Sequence, residues 1–387
     1  VLYGINLVLP STMRGSSCKL FRACSWRWTS ITIAFILPVH FFVQQQGRIM
    51  ILRPLLLLII GYFSFFSFVE ISAAECAPDG SIEFVCGPIS PEDLAIIPDS
   101  EWLIASGMED EGFLYMVNTD DHSSLAVYPP AISEPATAMA PYQACPGVVD
   151  QGFRPHGLSL RAGEGGIHTL YVVRHGAREA IEVFTVDTNN SIPSLTWVGC
   201  VPAPDSIVFN SVVAIPDGGI AATNFALPGG ELWEWQGGSN WTKVPGSETA
   251  GPNGIEVSAD GRWFYIAGWG SKSLIRLSRG QTPIQKAAVE VGHHIDNLRW
   301  APDGNLFAAG HNGPASDSIF QCLSGGDCSE VSSLVTKVGP DDLKIDRIVE
   351  YPSNTHLILG TVAVQIEDEI WVGGIAGGTK IVRFQAP

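Results

Sequence analysis

Basic residues are scarce in this chain: 22 Lys and Arg stand against 39 Asp and Glu, a formal charge of −17. Past residue 73 the imbalance deepens to 16 basic against 38 acidic residues, a net of −22. A field of that sign repels nucleic acid and anionic membrane surfaces, so neither is expected as a partner. It is compatible with a hard cation. Long helical periods with caps are missing after Val69, which speaks against a helical fold. No CxxC pair occurs, which makes a zinc site the weaker use of the cysteines. The chain also has no G-x-S-x-G elbow and no H-E-x-x-H helix. "GWGSKS" around Lys272 lacks the order of a phosphate-binding loop and falls in a strand hairpin. The Trp and Phe residues of "LWEWQGGSNW" and "RWFYIAGW" read as packing between strands.

The N-terminus has its own logic. The chain begins with Val, and Met50 is the better expected start. From Met50, Arg53 supplies a basic n-region, Leu55 to Val69 an apolar core, and "ISA" at Ile71–Ala73 a small-residue cleavage signal, as in a secretory signal peptide. The 15-residue core is shorter than the roughly 20 residues of a membrane span, which favours cleavage over an uncleaved anchor. Residues 1–49 read as a leader or non-native extension; the alternative is an extended or membrane-associated N-terminus. Residues 74–387 are expected to form a single secreted domain, extracellular or periplasmic.

Six cysteines remain in that domain: Cys76, Cys86, Cys145, Cys200, Cys322 and Cys328. An even count after a signal peptide predicts disulfides, with Cys322–Cys328 closing a short loop and two bridges among the other four. The sequons at Asn189 and Asn240 matter only in a eukaryotic secretory host.

A unit recurs along the domain: a polar residue, an apolar run, a Pro/Asp/Gly turn, a second apolar run. It reads "SPEDLAIIPDSEWLIASG" from Ser90, "RPHGLSLRAGEGGIHTLYVVRH" from Arg154 and "FNSVVAIPDGGIAATNF" from Phe209. It returns as "GPNGIEVSADGRWFYIAGWG" from Gly251, "HIDNLRWAPDGNLFAAGHNG" from His294 and, degenerate, "GTVAVQIEDEIWVGGIAGG" from Gly360. Short Val, Ile, Trp and Phe runs joined by PDG or ADG turns are β-hairpins. The anchors Glu92, His156, Asn210, Asn253 and Asp296 are spaced 64, 54, 43 and 43 residues apart. Four short strands with turns occupy roughly 40–50 residues, so the spacing predicts an all-β, six-bladed β-propeller. A sandwich or jelly roll is the alternative, but it does not explain repeats of this length.

In a propeller the residue just before each innermost strand faces the central channel. Those places hold Glu92, His156, Asn210, Asn253 and Asp296-Asn297, with no Lys or Arg among them. Taken singly each has a plain structural explanation: Asn253-Gly254 is an ordinary turn pair, and Glu92-Asp93 suits a solvated loop. Equivalent placement in successive repeats is what makes them a candidate site. Oxygen-only donors of this kind suit Ca²⁺, which takes six to eight oxygens at about 2.3–2.6 Å. His156 and His175 would lie on two strands of one blade, where a His near the ion could activate water against an ester carbonyl. His293 and His294 read as exposed loop residues.

The ordered set "PEDLAIIP", "RPHGLSL", "LYVVRHG", "FNSVVAIPDGGIAATN", "GPNGIEVSADGRWFYIA" and "HIDNLRWAPDGNLFAAGHNG" resembles the paraoxonase family of calcium-dependent lactonases and arylesterases. These are propellers of the gluconolactonase-type architecture. "LILGTVAVQIEDEIWVGG" resembles the closing blade more loosely, and the likeness runs from about Ser90 to the C-terminus. It implies that Glu92, Asn210, Asn253, Asp296 and Asn297 hold a catalytic calcium, that His156 and His175 form a His dyad, and that His311 lines the pocket. Phe225 joins His311 as a candidate pocket residue. The resemblance also implies a second, structural calcium on Asp93, the Leu158 carbonyl and the residue after Asn210. That residue is normally Asp and is Ser211 here, which weakens the second site. Family members tie their termini by a disulfide; no cysteine follows Cys328, so closure is expected from pairing "SIEFVCG" with the last strands.

The expected function is therefore a secreted Ca²⁺-dependent hydrolase of lactones with promiscuous aryl-ester activity, acting on a small-molecule substrate. His156, Asp296 and Glu92 all stay open as the base. A gluconolactonase- or strictosidine-synthase-like enzyme is the nearer alternative, and a non-catalytic propeller with a structural ion the more distant one.

Overall fold

The computed structural model describes residues 76–387 apart from 131–136, 150 and 353–354, together with the backbone of two earlier strands. Those two, β1 (Ala34–Val39) and β2 (Leu55–Ile60), pair antiparallel with Ala34 opposite Ile60. They belong to a unit of their own, residues 1–69, and the propeller unit begins at Glu70. The leader and signal-peptide readings otherwise fall outside the described residues. No described helix is long and apolar enough to cross a membrane.

After β3 (Glu83–Cys86) the chain lays down six four-stranded antiparallel sheets. The first holds β4 (Pro91–Ile96), β5 (Trp102–Gly107), β6 (Leu114–Asn118) and β7 (Ser124–Tyr128). The second holds β8 (Phe153–Arg161), β9 (Ile167–Gly176), β10 (Ala180–Asp187) and β11 (Ser194–Pro202). The third holds β12 (Phe209–Ala214), β13 (Ile220–Asn224), β14 (Glu231–Trp235) and β15 (Thr242–Lys243). The fourth holds β16 (Pro252–Val257), β17 (Trp263–Gly268), β18 (Ser273–Ser278) and β19 (Lys286–Glu290). The fifth holds β20 (His294–Trp300), β21 (Leu306–Asn312), β22 (Ser332–Val338) and β23 (Ile345–Tyr351). The sixth joins β24 (Gly360–Ile366), β25 (Glu369–Gly374) and β26 (Lys380–Gln385) to β3.

The innermost strands β4, β8, β12, β16, β20 and β24 each pack on the next and close into a ring. This is the six-bladed propeller read from the repeats. Six apolar clusters fill the six gaps between adjacent blades. That distribution explains the sequence pattern. Inner strands are covered on both faces and read as short apolar runs, whereas an outermost strand such as β19 is largely exposed. The PDG and ADG turns work as expected: in the β20–β21 turn Gly304 takes φ +81°, and Ala301 N–H donates to the Asn305 carbonyl at 2.8 Å.

Closure is by β-pairing: β26 runs antiparallel to β3, with Ile381 opposite Val85 and Val382 opposite Phe84. The expected segment is the one used. Among the described residues the disulfides are Cys76–Cys86, Cys145–Cys200 and Cys322–Cys328, the last at the predicted loop. One element departs from the β-only reading: α1 (Ser316–Leu323), eight residues between β21 and β22. Its one apolar face, Ile319 and Cys322, covers Trp269 and Val331.

Closure makes β3 more important than four residues suggest. Val85 is fully buried between the first and last blades. Val85→Asp is expected to cost on the order of 3 kcal/mol or more, because an unpaired carboxylate is buried there. Glu83→Gln, which removes a half-exposed ion pair with Arg383, should stay within about 1 kcal/mol. Urea unfolding followed by tryptophan fluorescence measures both; equal effects would mean that β3 does not close the ring.

Candidate active site at the propeller axis

Every innermost strand breaks register at the same place. The shifts fall between Pro91 and Asp93, Pro155 and Leu158, Phe209 and Val212, Pro252 and Ile255, Ile295 and Leu298, and Gly360 and Val362. A bulge leaves its residues out of the ladder and re-aims their side chains. The residues in the bulges are Glu92, His156, Asn210, Asn253 and Asp296-Asn297, so the candidates lie inside the strands at the bulges, not just before them. Glycines let neighbouring bulges approach. A Cβ on Gly157 would sit 2.7 Å from Ser211 Cα, and one on Gly254 would sit 2.6 Å from Asn297 Cα. The "HG" and "NG" pairs are thus contacts between blades, not turns.

The sixth bulge holds Thr361, which the repeat reading did not single out. Its buried hydroxyl donates to the Glu92 carbonyl at 2.6 Å.

The structure links Glu92, Asn253, Asp296 and Asn297 to one another, and Asn210 sits in the corresponding bulge of β12. Asn297 Nδ2 donates to Glu92 Oε1 at 2.6 Å, and Asn253 lies close enough to Asp296 to favour its ionised form. What remains is unusual. Glu92 Oε2, Asn210 Oδ1, Asn253 Oδ1 and Asn297 Oδ1 are buried oxygens with no hydrogen-bond partner. Buried acceptors left unpaired cost roughly 1–3 kcal/mol each, so four in the bulges of four innermost strands call for a missing partner. The partner that fits four acceptors, two of them beside carboxylates, is a cation. Among the described residues no group of three or more His, Cys, Asp and Glu side chains is arranged as a metal site. The donors here are chiefly carboxamides, so the fit is to a hard, oxygen-seeking ion.

Electrostatics point the same way. Burial, then the nearby Asp93, pushes Asp296 up to about 8. Burial, then Asp93 and Asp296, raises Glu92 well above the usual carboxylate range. Without a positive charge, these groups prefer to keep their protons.

Beside them runs a histidine relay. His156 Nδ1 lies 2.9 Å from His175 Nε2, and His175 Nδ1 lies 2.6 Å from Glu179 Oε2. The carboxylate can only accept, so Nδ1 of His175 carries the hydrogen. His175 Nε2 then accepts from His156 Nδ1–H. That leaves the lone pair of His156 Nε2 facing Glu92 Oε1, 3.6 Å away. Burial, then His175 and Arg154, holds His156 well below the usual histidine range, so it is a neutral base. Glu179 was not among the sequence candidates; its place four residues after His175 across a tight turn was the available signal. The same hairpin is anchored by Glu182, which accepts from Arg174, Arg178 and Trp197.

No protein-family model and no curated protein matches this chain. Among solved structures it is similar to a luciferin-regenerating enzyme at 13% identity, covering 78% of this chain and 94% of that one with a TM-score of 0.50. It is similar to a streptogramin B lyase at 10% identity, covering 79% and 97% with a TM-score of 0.47. It is also similar to regucalcin, a calcium-binding protein from Agrobacterium tumefaciens, at 12% identity, covering 78% and 91% with a TM-score of 0.46. At such identities the likeness is one of fold alone.

A wall of rings adjoins the axis. His311 is buried; its Nε2 accepts from Trp269 Nε1 at 3.1 Å, its Nδ1 meets the Gly360 carbonyl at 3.2 Å, and Asp296 Oδ2 lies 3.8 Å away. Phe225 meets Trp269 edge-on at 5.9 Å, so both pocket candidates touch one indole. His293 and His294 correct the sequence reading: both are buried, at 0% and 3% exposure. His294 Nδ1 bonds the Trp269 carbonyl at 2.8 Å and its ring lies 4.1 Å from that indole, while His293 bonds the Ala308 carbonyl. His294 begins β20, where it pairs with His311 of β21, and His293 immediately precedes the strand.

The residues expected at a second calcium are also engaged. Asp93 Oδ2 accepts from Leu158 N–H at 2.7 Å and from Arg299 Nη2, and the Leu158 carbonyl accepts from the same Nη2 at 2.9 Å.

A pH dependence follows. The folded Asp296 has a pKa of about 8, above an unfolded value of roughly 3.9. Its raised pKa favours the folded state at low pH, and this contribution fades as pH rises through that window. In chelator, the melting temperature is expected to fall as pH rises from about 4 to about 8. Asp296→Asn should flatten the slope. A melting temperature in chelator that climbs over the window would contradict this charge balance.

Proposed function

We propose that this protein is a secreted, Ca²⁺-dependent hydrolase of lactones with accompanying aryl-ester activity. The observation that carries the reading is the set of four unpartnered buried oxygens, one of them on Glu92, whose other carboxyl oxygen lies 3.6 Å from His156 Nε2. Three disulfides fit an oxidising compartment, and the N-terminal signal pattern fits export to one.

Glu92, Asn210, Asn253, Asp296 and Asn297 would hold the ion. A calcium bound there supplies Lewis-acid polarisation of a carbonyl and charge for the developing oxyanion. The remaining work is done by side chains. His156 Nε2 takes a proton from water as the water oxygen bonds to the acyl carbon. The ring C–O bond then breaks, and the departing alkoxide recovers the proton from His156. The positive charge that His156 carries between these events is shared through Nδ1–H with His175, whose own Nδ1–H is held by Glu179. Glu179 is thus a positioning residue that fixes both tautomers. Trp269, Phe225, His294 and His311 offer an aromatic flank for the apolar part of a small ester.

The test is hydrolysis of an aliphatic lactone, a sugar lactone and phenyl acetate. Exhaustive chelation should abolish turnover, and His156→Ala should lower kcat/KM by about 10²-fold or more. Glu179→Gln is expected to lower kcat on the order of 10-fold with KM little changed, and Glu179→Asp to recover part of it. Turnover that survives chelation rules out the calcium mechanism, and wild-type activity in His156→Ala moves the base to a carboxylate. Calcium binding without turnover of any ester would make the propeller a binding module.

A further inference from the structure

Arg299 is a largely buried cation near the axis that the proposed chemistry does not use, its side chain 11% exposed against the fully buried Asp93. A guanidinium has five N–H donors. Here Nε–H goes to the Leu94 carbonyl at 2.9 Å. Nη1 donates to the Leu298 carbonyl at 2.8 Å and approaches Glu256 Oε1 at 3.4 Å. Nη2 serves the Leu158 carbonyl at 2.9 Å and Asp93 Oδ2. All five are engaged, and the acceptors come from β4, β8, β16 and β20. One cation therefore ties together the innermost strands of four blades.

Two of these acceptors, Asp93 and the Leu158 carbonyl, are those a structural calcium would need. The third expected donor is Ser211, a neutral hydroxyl whose Oγ is buried and unpartnered. A divalent ion at this place would have to displace a fixed positive charge from its own carboxylate. It would gain one hydroxyl where a second carboxylate is wanted. The residues do not fit the ion.

We infer that the Arg299 guanidinium is the built-in cation of this position, so that the chain carries no exchangeable structural metal there. The count of one calcium per chain rests on the functional reading above; the claim about Arg299 does not. The consequence is a separation of roles: chelation removes the ion at the orphaned oxygens and leaves the blades locked.

The experiment combines equilibrium dialysis against ⁴⁵Ca²⁺ with thermal unfolding of the full chain. Wild type is expected to bind one equivalent and Asp296→Asn none. In Asp296→Asn, chelator should shift the melting temperature by no more than about 2 °C, since no structural ion is present to lose. Arg299→Met should lower the wild-type melting temperature on the order of 10 °C, because Asp93 and Glu256 lose their buried counter-charge. Two equivalents in wild type overturn the inference, as does a chelator-induced drop on the order of 10 °C in Asp296→Asn. Zero equivalents with a chelator-insensitive melting temperature support Arg299 as the resident cation and overturn the calcium reading of the orphaned oxygens. If Arg299→Met does not fold, the dialysis and the Asp296→Asn melts still decide.

Discussion

Six strands meeting at one axis must bring backbone and side-chain polar groups together away from water, and each group has to find a partner there. The rest of the structure depends on how that constraint is met. A β-bulge in every innermost strand frees one or two side chains from the ladder. Glycines after His156 and Asn253 let the bulges of neighbouring blades pack backbone to backbone. The freed groups then satisfy one another in part: Thr361 with the Glu92 carbonyl and Asn297 with the Glu92 carboxylate. The oxygens left over are the chemical signature of the site.

The axis holds two levels with opposite solutions to the same problem. At one, Asp93 and Glu256 meet a guanidinium supplied by the chain. At the other, Glu92 and Asp296 have no such neighbour to offset them fully; burial drives their pKa values up and amide oxygens stand unpaired around them. A permanent internal cation suits a structural lock, because it cannot leave. An exchangeable one suits chemistry, because it keeps an open position for water and substrate. The neutral His156, oriented by His175 and Glu179, completes that second level.

Much of this was legible in the sequence, for a reason tied to repetition. Equivalent places in equivalent blades must face the axis, so Glu92, Asn210, Asn253 and Asp296-Asn297 could be placed from spacing alone. Closure by "SIEFVCG" and the Cys322–Cys328 bridge were likewise readable, one from missing cysteines and one from a short loop. What repetition does not encode was missed. Arg299 is one of two flanking residues in "LRWAPDG", and its partners Asp93 and Leu158 are 206 and 141 residues away. Glu179 earns its place only through a turn that returns it to His175. His293 and His294 looked like exposed loop because two polar residues stand together, yet both are buried: His294 by pairing with β21 and contact with Trp269, His293 against the Ala308 carbonyl. The helix α1 is a single amphipathic stretch of eight residues, too short to stand out against strand-like surroundings.

The central claim is that the orphaned oxygens are the ligands of one calcium ion. Anomalous diffraction from crystals grown in Ca²⁺, or exchanged with a lanthanide, tests it most directly. The account predicts a single strong peak at about 2.3–2.6 Å from Glu92 Oε2, Asn210 Oδ1, Asn253 Oδ1 and Asn297 Oδ1, with Arg299 in place on Asp93. A well-ordered axis with no peak there, or with the ion seated on Asp93 and the Leu158 carbonyl, would contradict it.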